Sequence, residues 1–242
     1  MIATIEVIEG GHGNSIQDRG RVGYRHMGIA VSGQLDAIFA RCANALVGNA
    51  ESAACLEMRA AGPTLKVRAG PLRVAMSGEV AATIQRPDSR QRQLAAWCSA
   101  SLDSGDVLKI GAIAGGTAYL AVSGGIGVVP QLGSRSTYLR AAIGGFDGRL
   151  LAAGDSFPCR RLESDDLGEY CAAPWQHDSG PIRVISGPQT DCFGLTTLAD
   201  FLAQPYTVSV ESDRMGMRLA GPALAHRDAD SADIVSDGVA PG

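Results

Sequence analysis

The chain has 242 residues, 45% of them apolar and 19% charged, with a net charge of −4. That is enough apolar sequence for a packed core in one large domain or two smaller ones, and too little positive charge for a nucleic-acid backbone to be the main partner. No apolar run is long enough to span a membrane and Met1-Ile2-Ala3-Thr4 opens no signal peptide, so a cytoplasmic location is expected.

Taken in order, Thr4–Ile8, Leu72–Met76, Val107–Ile110, Ala118–Val122, Ile182–Ile185 and Thr207–Val210 read as strands, separated by Gly and Asp turns. Two helices interrupt them. In the first, Leu35, Ile38, Phe39, Cys42, Leu46 and Val47 recur at helical spacing, with Ser32 or Gly33 to open it and Gly48 to end it. The second is expected over about 191–202, with Phe193, Leu195, Leu198, Phe201 and Leu202 on its apolar face. Gln85–Gln93 reads as a hairpin tip on Pro87-Asp88, with Arg86, Arg90 and Arg92 in a solvated loop. The fold class is therefore mainly β and barrel-like, with one helix per domain.

Six cysteines, Cys42, Cys55, Cys98, Cys159, Cys171 and Cys192, show no CxxC spacing. Buried reduced thiols are expected, and no metal site. Lys66 and Lys109 are the only lysines, both in strand-like runs, and there is no GxxxxGK[ST] loop. The chain itself is expected to bind no cofactor, and any ATP would be held on another chain. His226-Arg227-Asp228 lacks the rest of a kinase signature, no GxSxG elbow is present, and the four histidines lack metal spacing.

Met58-Arg59-Ala60-Ala61-Gly62-Pro63-Thr64-Leu65 is echoed by Met217-Arg218-Leu219-Ala220-Gly221-Pro222-Ala223-Leu224 at six of eight positions. Each copy follows a strand and a helix, which points to duplication. About 90 residues of strand-rich chain follow the first copy up to Asp155, whereas 18 follow the second. The expected organisation is a first domain over 1–162, a linker over 163–180, and a second domain over 181–242 that stops before its strands are complete.

Four segments carry candidate chemistry. Ser15–Tyr24 is a polar, Gly-rich loop that would present Gln17, Asp18 and Arg21 to a ligand, or be ordered by an Asp18–Arg21 pair. Val31–Asp36 opens the first helix and would cap it or hold an anion. Leu132–Thr137 surrounds Arg135 with Ser134, Ser136 and Thr137, a set suited to a carboxylate. Ser212–Arg218 offers Asp213 and Arg214, as a ligand-holding pair or as an ion pair at a strand edge.

Together with Asn44-x-Leu46-Val47-Gly48-Asn49 and Gly62-Pro63-x-Leu65, these segments resemble, in collinear order, the family of C-type 5-oxoprolinase subunits, which includes allophanate hydrolase subunit 2-like proteins, KipA-type antagonists and the carboxyltransferase domain of urea carboxylase. The resemblance implies two cyclophilin-like β-barrel domains and a B-type partner subunit, with the site between the two. In the oxoprolinase branch an A-type subunit joins them and the complex uses ATP to open 5-oxoproline to glutamate. In the urea carboxylase branch a carboxyl group moves from carboxybiotin to urea, and in the regulatory branch the protein sequesters an inhibitor. A start at Met1 on the first strand, without a fused partner or biotinyl domain, favours the separate-subunit oxoprolinase. Family members continue past the Val235–Gly238 region into a Gln-Thr-Thr-Gly-Gly-Tyr-Pro-like motif that this sequence lacks. On this reading the chain would build half of a composite site, in which Arg135, Arg214 and Arg21 hold carboxylates, Ser134, Ser136 and Gln17 supply hydrogen bonds, and Asp18 or Asp213 orients the arginines or transfers protons.

Overall fold

In the computed structural model, residues 2–163, 168–178, 180–214, 216–228, 231 and 233 are described. Met215 of the fourth segment and Val235–Gly238 lie outside them. The chain divides into two compact units, Met1–Gln176 and His177–Gly242.

The first unit is built on two antiparallel sheets. Strands β1 (Ile2–Glu9), β2 (Ser15–Gln17), β3 (Cys55–Met58), β4 (Thr64–Ala69), β5 (Leu72–Glu79) and β6 (Ala81–Gln85) lead to β7 (Gln91–Ala95), β8 (Ser99–Leu102), β9 (Val107–Ile110), β10 (Ala114–Val122) and β11 (Ser156–Arg160). One sheet runs β11-β1-β4-β9-β6-β7 and the other β2-β3-β10-β5-β8. The mainly β expectation holds, but both sheets are open, with β7, β11, β2 and β8 as edges, rather than a closed barrel.

Period-2 alternation decides what each face buries. On β1, Ala3, Ile5 and Val7 point into the core between the sheets, where they join Leu56, Met58, Val74, Met76, Leu120 and Val122 from the other sheet. The intervening residues Cys55, Ala75, Tyr119 and Ala121 point the opposite way, onto helix α1 (Ala37–Leu46), against Ala40, Ala43, Leu46 and Val47. The central strands of the five-stranded sheet thus bury residues on both faces.

Helix α1 begins later than expected. Its N-cap is Asp36, whose Oδ1 accepts from Phe39 N at 2.9 Å, and neither Ser32 nor Gly33 caps it. Two buried side chains fix that start. Glu57 Oε2 accepts from Leu35 N (2.9 Å) and from Tyr119 Oη (2.7 Å), and Tyr119 Oη accepts from Asp36 N (2.8 Å). Burial pushes the Tyr119 hydroxyl well above its ordinary pKa, so it remains a donor.

The thiol expectation requires correction: Cys98 and Cys171 form a disulfide, with Cα atoms 4.1 Å apart across 73 residues. Cys42, Cys55, Cys159 and Cys192 are free, and burial raises Cys55 and Cys159 to about 12. The disulfide lies within a strap. Residues 169–172, expected as part of a linker, run along edge strand β8: Ser99 N donates to Tyr170 O (2.7 Å) and Ala172 N to Trp97 O (2.8 Å). Arg92 grips Glu169 through both terminal nitrogens at 2.9 and 2.6 Å. The strap occupies backbone groups that an open edge would leave exposed. Arg92 is therefore a clamp rather than a solvated loop residue, while Arg86 pairs with Asp103 and Arg90 with Asp88.

In the second unit, a short 3-10 turn over Thr190–Cys192 precedes helix α2 (Thr197–Ala203), shorter than the expected 191–202. β12 (Thr207–Val208) and β13 (Leu219–Ala220) form a two-stranded ribbon. Residues 182–185 form no strand; Ile182 and Ile185 are 90% and 93% exposed.

Candidate functional site

β2 pairs with β3 through Gln17 opposite Cys55, and the chain then turns out of the sheet at Asp18. The turn is closed locally, because Asp18 Oδ1 accepts from Gly20 N at 2.8 Å. Gly20 has φ +87°, and a Cβ there would lie 2.6 Å from Val31 O, so only glycine fits. The loop continues back-to-back with the second segment: Arg21 N donates to Val31 O (2.7 Å) and Gln34 N to Asp18 O (3.0 Å).

The third segment arrives from the far end of the unit. Gln131 and Ser134 exchange backbone hydrogen bonds across a tight turn whose central residues, Leu132 and Gly133, both have positive φ. Past that turn, Ser134 Oγ and Ser136 Oγ each donate to Asp18 Oδ1 at 2.6 Å, and Arg135 N donates to Asp18 Oδ2 at 2.6 Å. The hydroxyls complete their own sets: Ser136 N donates to Ser134 Oγ (3.0 Å) and Asp18 N to Ser136 Oγ (2.9 Å). Two segments more than a hundred residues apart are thereby tied together around one carboxylate, and the second segment joins them through backbone hydrogen bonds.

Burial pushes the Asp18 pKa up, but hydrogen bonds from Ser134, Ser136, Arg135 N and Gly20 N outweigh it and hold the group below the ordinary carboxylate range. Asp18 is an ionised anchor whose two oxygens are both occupied. Beneath it, Gln17 Nε2 donates to Ser15 Oγ (3.0 Å) and Thr137 O (3.3 Å). Arg21 is 1% exposed and turned inward, with Nη2 donating to Ser136 O. Burial lowers the Arg21 pKa, and the nearby charge of Asp18 opposes that shift.

Arg135 is different. It is half-buried, and its side chain makes one hydrogen bond, from Nε to Val128 O at 2.8 Å. Its terminal nitrogens make no hydrogen bond among the described residues, so the guanidinium is held along one edge only.

The structure thus brings Gln17, Asp18, Arg21, Ser134, Arg135 and Ser136 into one cluster. Asp213 and Arg214 lie in the second unit, in a tight turn where Asp213 N donates to Gly216 O (3.2 Å) and Ser212 Oγ accepts from Arg218 N (2.9 Å). Asp213 is exposed; Arg214 is half-buried, which lowers its pKa. Sequence reasoning missed Gln131, whose Oε1 accepts from Gly144 N (2.8 Å), and Glu57, which holds the second segment in place. Glu57 had a readable signal, a carboxylate between Leu56 and Met58 in an apolar strand.

The family model described as "Carboxyltransferase domain, subdomain A and B" matches residues 27–242. The chain is 35% identical to the C-type subunit of 5-oxoprolinase from Escherichia coli K12, over 98% of this chain and 74% of that protein. It is 32% identical to urea amidolyase of Lachancea kluyveri over 90% of this chain, but spans 12% of that much longer protein. The crystal structure of Kluyveromyces lactis urea carboxylase superposes with a TM-score of 0.74 at 29% identity, covering 93% of this chain and 21% of that one. With the family model covering most of the chain, and a relative this similar along nearly all of it, the protein belongs to the carboxyltransferase-domain (subdomain A and B) family.

Proposed function

We propose that this chain is the C-type subunit of an ATP-dependent 5-oxoprolinase, forming part of a composite site that opens 5-oxoproline to glutamate together with A- and B-type subunits. The observation that carries this reading is the 35% identity to the Escherichia coli C-type protein along 98% of the chain. In this reading the Arg135 guanidinium takes the substrate carboxylate through its terminal nitrogens, a geometry suited to bidentate, charge-assisted pairing. Asp18 orients Arg135 through its backbone N–H, with Ser134, Ser136, Gln17 and Arg21 holding the loop that presents it. Arg214 and Asp213 are the corresponding candidates on the second unit. The chain contributes no cofactor site; ATP is bound and used by the partner subunits, and the complex works in the cytoplasm.

The test is ATP-dependent 5-oxoproline hydrolysis by this chain assembled with its A- and B-type partners. Glutamate release that requires all three subunits and falls on Arg135→Ala supports the reading. An intact assembly without ATP-dependent glutamate release removes it.

A second reading has its own observation. The superposition on urea carboxylase at a TM-score of 0.74 fits a biotin-dependent carboxyltransferase component, in which the same arginine would hold a carboxyl group in transit from carboxybiotin. Carboxyl transfer from a biotinylated partner protein, in place of lactam opening, would favour it.

A further inference from the structure

Cys98 and Cys171 face each other across an antiparallel bridge at the start of edge strand β8. The hydrogen bonds that frame them, Ser99 N to Tyr170 O (2.7 Å) and Ala172 N to Trp97 O (2.8 Å), belong to the residues on either side. The two cysteines are therefore a non-hydrogen-bonded pair, the register that brings facing side chains closest. Cys171 is exposed and Cys98 half-buried. A thiolate in solution can reach the bond, and access is one of the factors that decide whether a disulfide exchanges.

The strap is held unevenly about this bond. Before Cys171, Glu169 takes Arg92 through both terminal nitrogens and accepts from Ser101 N (3.0 Å), and Tyr170 N donates to Ser99 Oγ (2.7 Å). The Arg73 guanidinium also lies over the Tyr170 ring, 5.0 Å from its centroid. None of these ties passes through sulfur. Past Cys171, the strap returns to the sheet through Ala172 N and Trp97 O. Trp97 is buried, yet its φ is +63°, a conformation that a bulky side chain adopts only under constraint from its surroundings. The constraint comes from Met76 O, which accepts from Trp97 N (2.6 Å), and from Ala172 N beside the disulfide. The indole in turn meets Phe39, in the first turn of α1, edge-on with ring centroids 5.0 Å apart.

We propose that Cys98–Cys171 is a reversible thiol–disulfide switch, opened by a dithiol reductant, that sets the conformation of Trp97 and its packing on α1. A thiolate of the reductant attacks Cys171 Sγ. The S–S bond breaks and its electron pair leaves on Cys98, which takes up a proton. The reductant's second thiolate then displaces Cys171, which is released as a thiol, and the reductant leaves as a disulfide. Glu169 and Tyr170 keep Cys171 opposite Cys98, so oxidation closes the bond again. Ala172 and Trp97 lose their tie in the reduced form, and Trp97 relaxes. The inference stands independently of the reaction assigned above.

The test uses the full chain carrying Trp175→Phe, which leaves Trp97 as its one tryptophan. Dithiothreitol is added at neutral pH without denaturant, and alkylated peptides report the state of Cys98 and Cys171. The expected result is that both thiols appear, Trp97 emission moves to longer wavelength, and the Ala172 amide exchanges at least about tenfold faster, while the Ser101 amide keeps its protection. Oxidised glutathione should reverse all of these changes. Cys98→Ser in the same background should show the emission of the reduced form and no response to reductant. A bond that resists reduction in the native chain, reduction that leaves Trp97 emission and Ala172 exchange unchanged, or thiols that do not pair again would each overturn the proposal. So would a loss of protection throughout the first unit, which would make the bond a structural staple rather than a switch.

Discussion

Replacing Asp18 with Asn tests whether this residue is the anchor of the site. Four donors, Gly20 N, Ser134 Oγ, Ser136 Oγ and Arg135 N, reach its two oxygens at 2.6–2.8 Å. An asparagine of nearly the same shape offers one carbonyl oxygen. If that oxygen faces the three donors at Oδ1, the new NH2 confronts Arg135 N–H; the flipped amide confronts the other three. One charge-assisted bond is lost outright and the rest are weakened. At about 1.5–3 kcal/mol for a hydrogen bond to a charged group, Asp18→Asn should lower stability by about 2–4 kcal/mol at neutral pH. The pH dependence supplies a sharper check. The folded-state pKa of Asp18 lies below its unfolded value. Its contribution is therefore fully present above the unfolded pKa, near 3.9, and is lost as pH falls through the folded pKa. Urea denaturation of both proteins, followed from pH 7 into acid, should show a gap that begins to narrow below about pH 3.9 as the wild-type carboxyl is protonated. A variant within about 0.5 kcal/mol of wild type at pH 7, or a gap that persists unchanged in acid, would refute the anchor.

Arg135→Ala removes one side-chain hydrogen bond from the fold, so its stability should fall by only about 1 kcal/mol, while kcat/KM of the assembled complex falls on the order of 10- to 100-fold. Comparable losses in urea midpoint and in activity would show a structural arginine instead. The disulfide closes a loop of 73 residues, for which chain entropy gives about 4 kcal/mol. Reductant should therefore lower the thermal midpoint of the wild-type chain and leave Cys98→Ser unmoved; an equal response of both would count against the bond. Asp36→Ala deletes the α1 cap and should cost about 1 kcal/mol by chemical denaturation, with Asp36→Ser recovering most of it.

Strands whose apolar residues alternate against a core were legible in the sequence. β9 spans the expected Val107–Ile110, and β1 and β5 extend their expected runs by a few residues. The run 182–185 shows the limit of that signal. Its composition suits a strand, yet no strand among the described residues supplies it with a ladder, and alternation in one segment carries no information about a partner. The start of α1 shows another limit. Ser32 and Asp36 are both capping residues, and the choice is made from outside the helix by Glu57 and Tyr119, which take the backbone N–H groups of Leu35 and Asp36. The Cys98–Cys171 bond was likewise unreadable, because the bridge depends on residues 169–172 lying along β8.

The candidate site was legible as residue types and not as roles. Ser134, Arg135 and Ser136 together suggested a ligand cradle in which hydroxyls and guanidinium act side by side. The structure divides them. Alternate side chains along an extended stretch face the same way, so Ser134 and Ser136 both turn to Asp18 while Arg135, between them, contributes only its backbone N–H to that carboxylate. The serines are consumed inward because Asp18 is buried and must be hydrogen-bonded. Arg135 keeps its terminal nitrogens because Val128 O engages Nε alone. Arg21 shows the opposite outcome for the same residue type, since its loop folds back on Val31 and carries the side chain under the carboxylate. Of the two arginines in the first unit's cluster, Arg21 is buried and Arg135 half-buried, and burial rather than sequence context separates them.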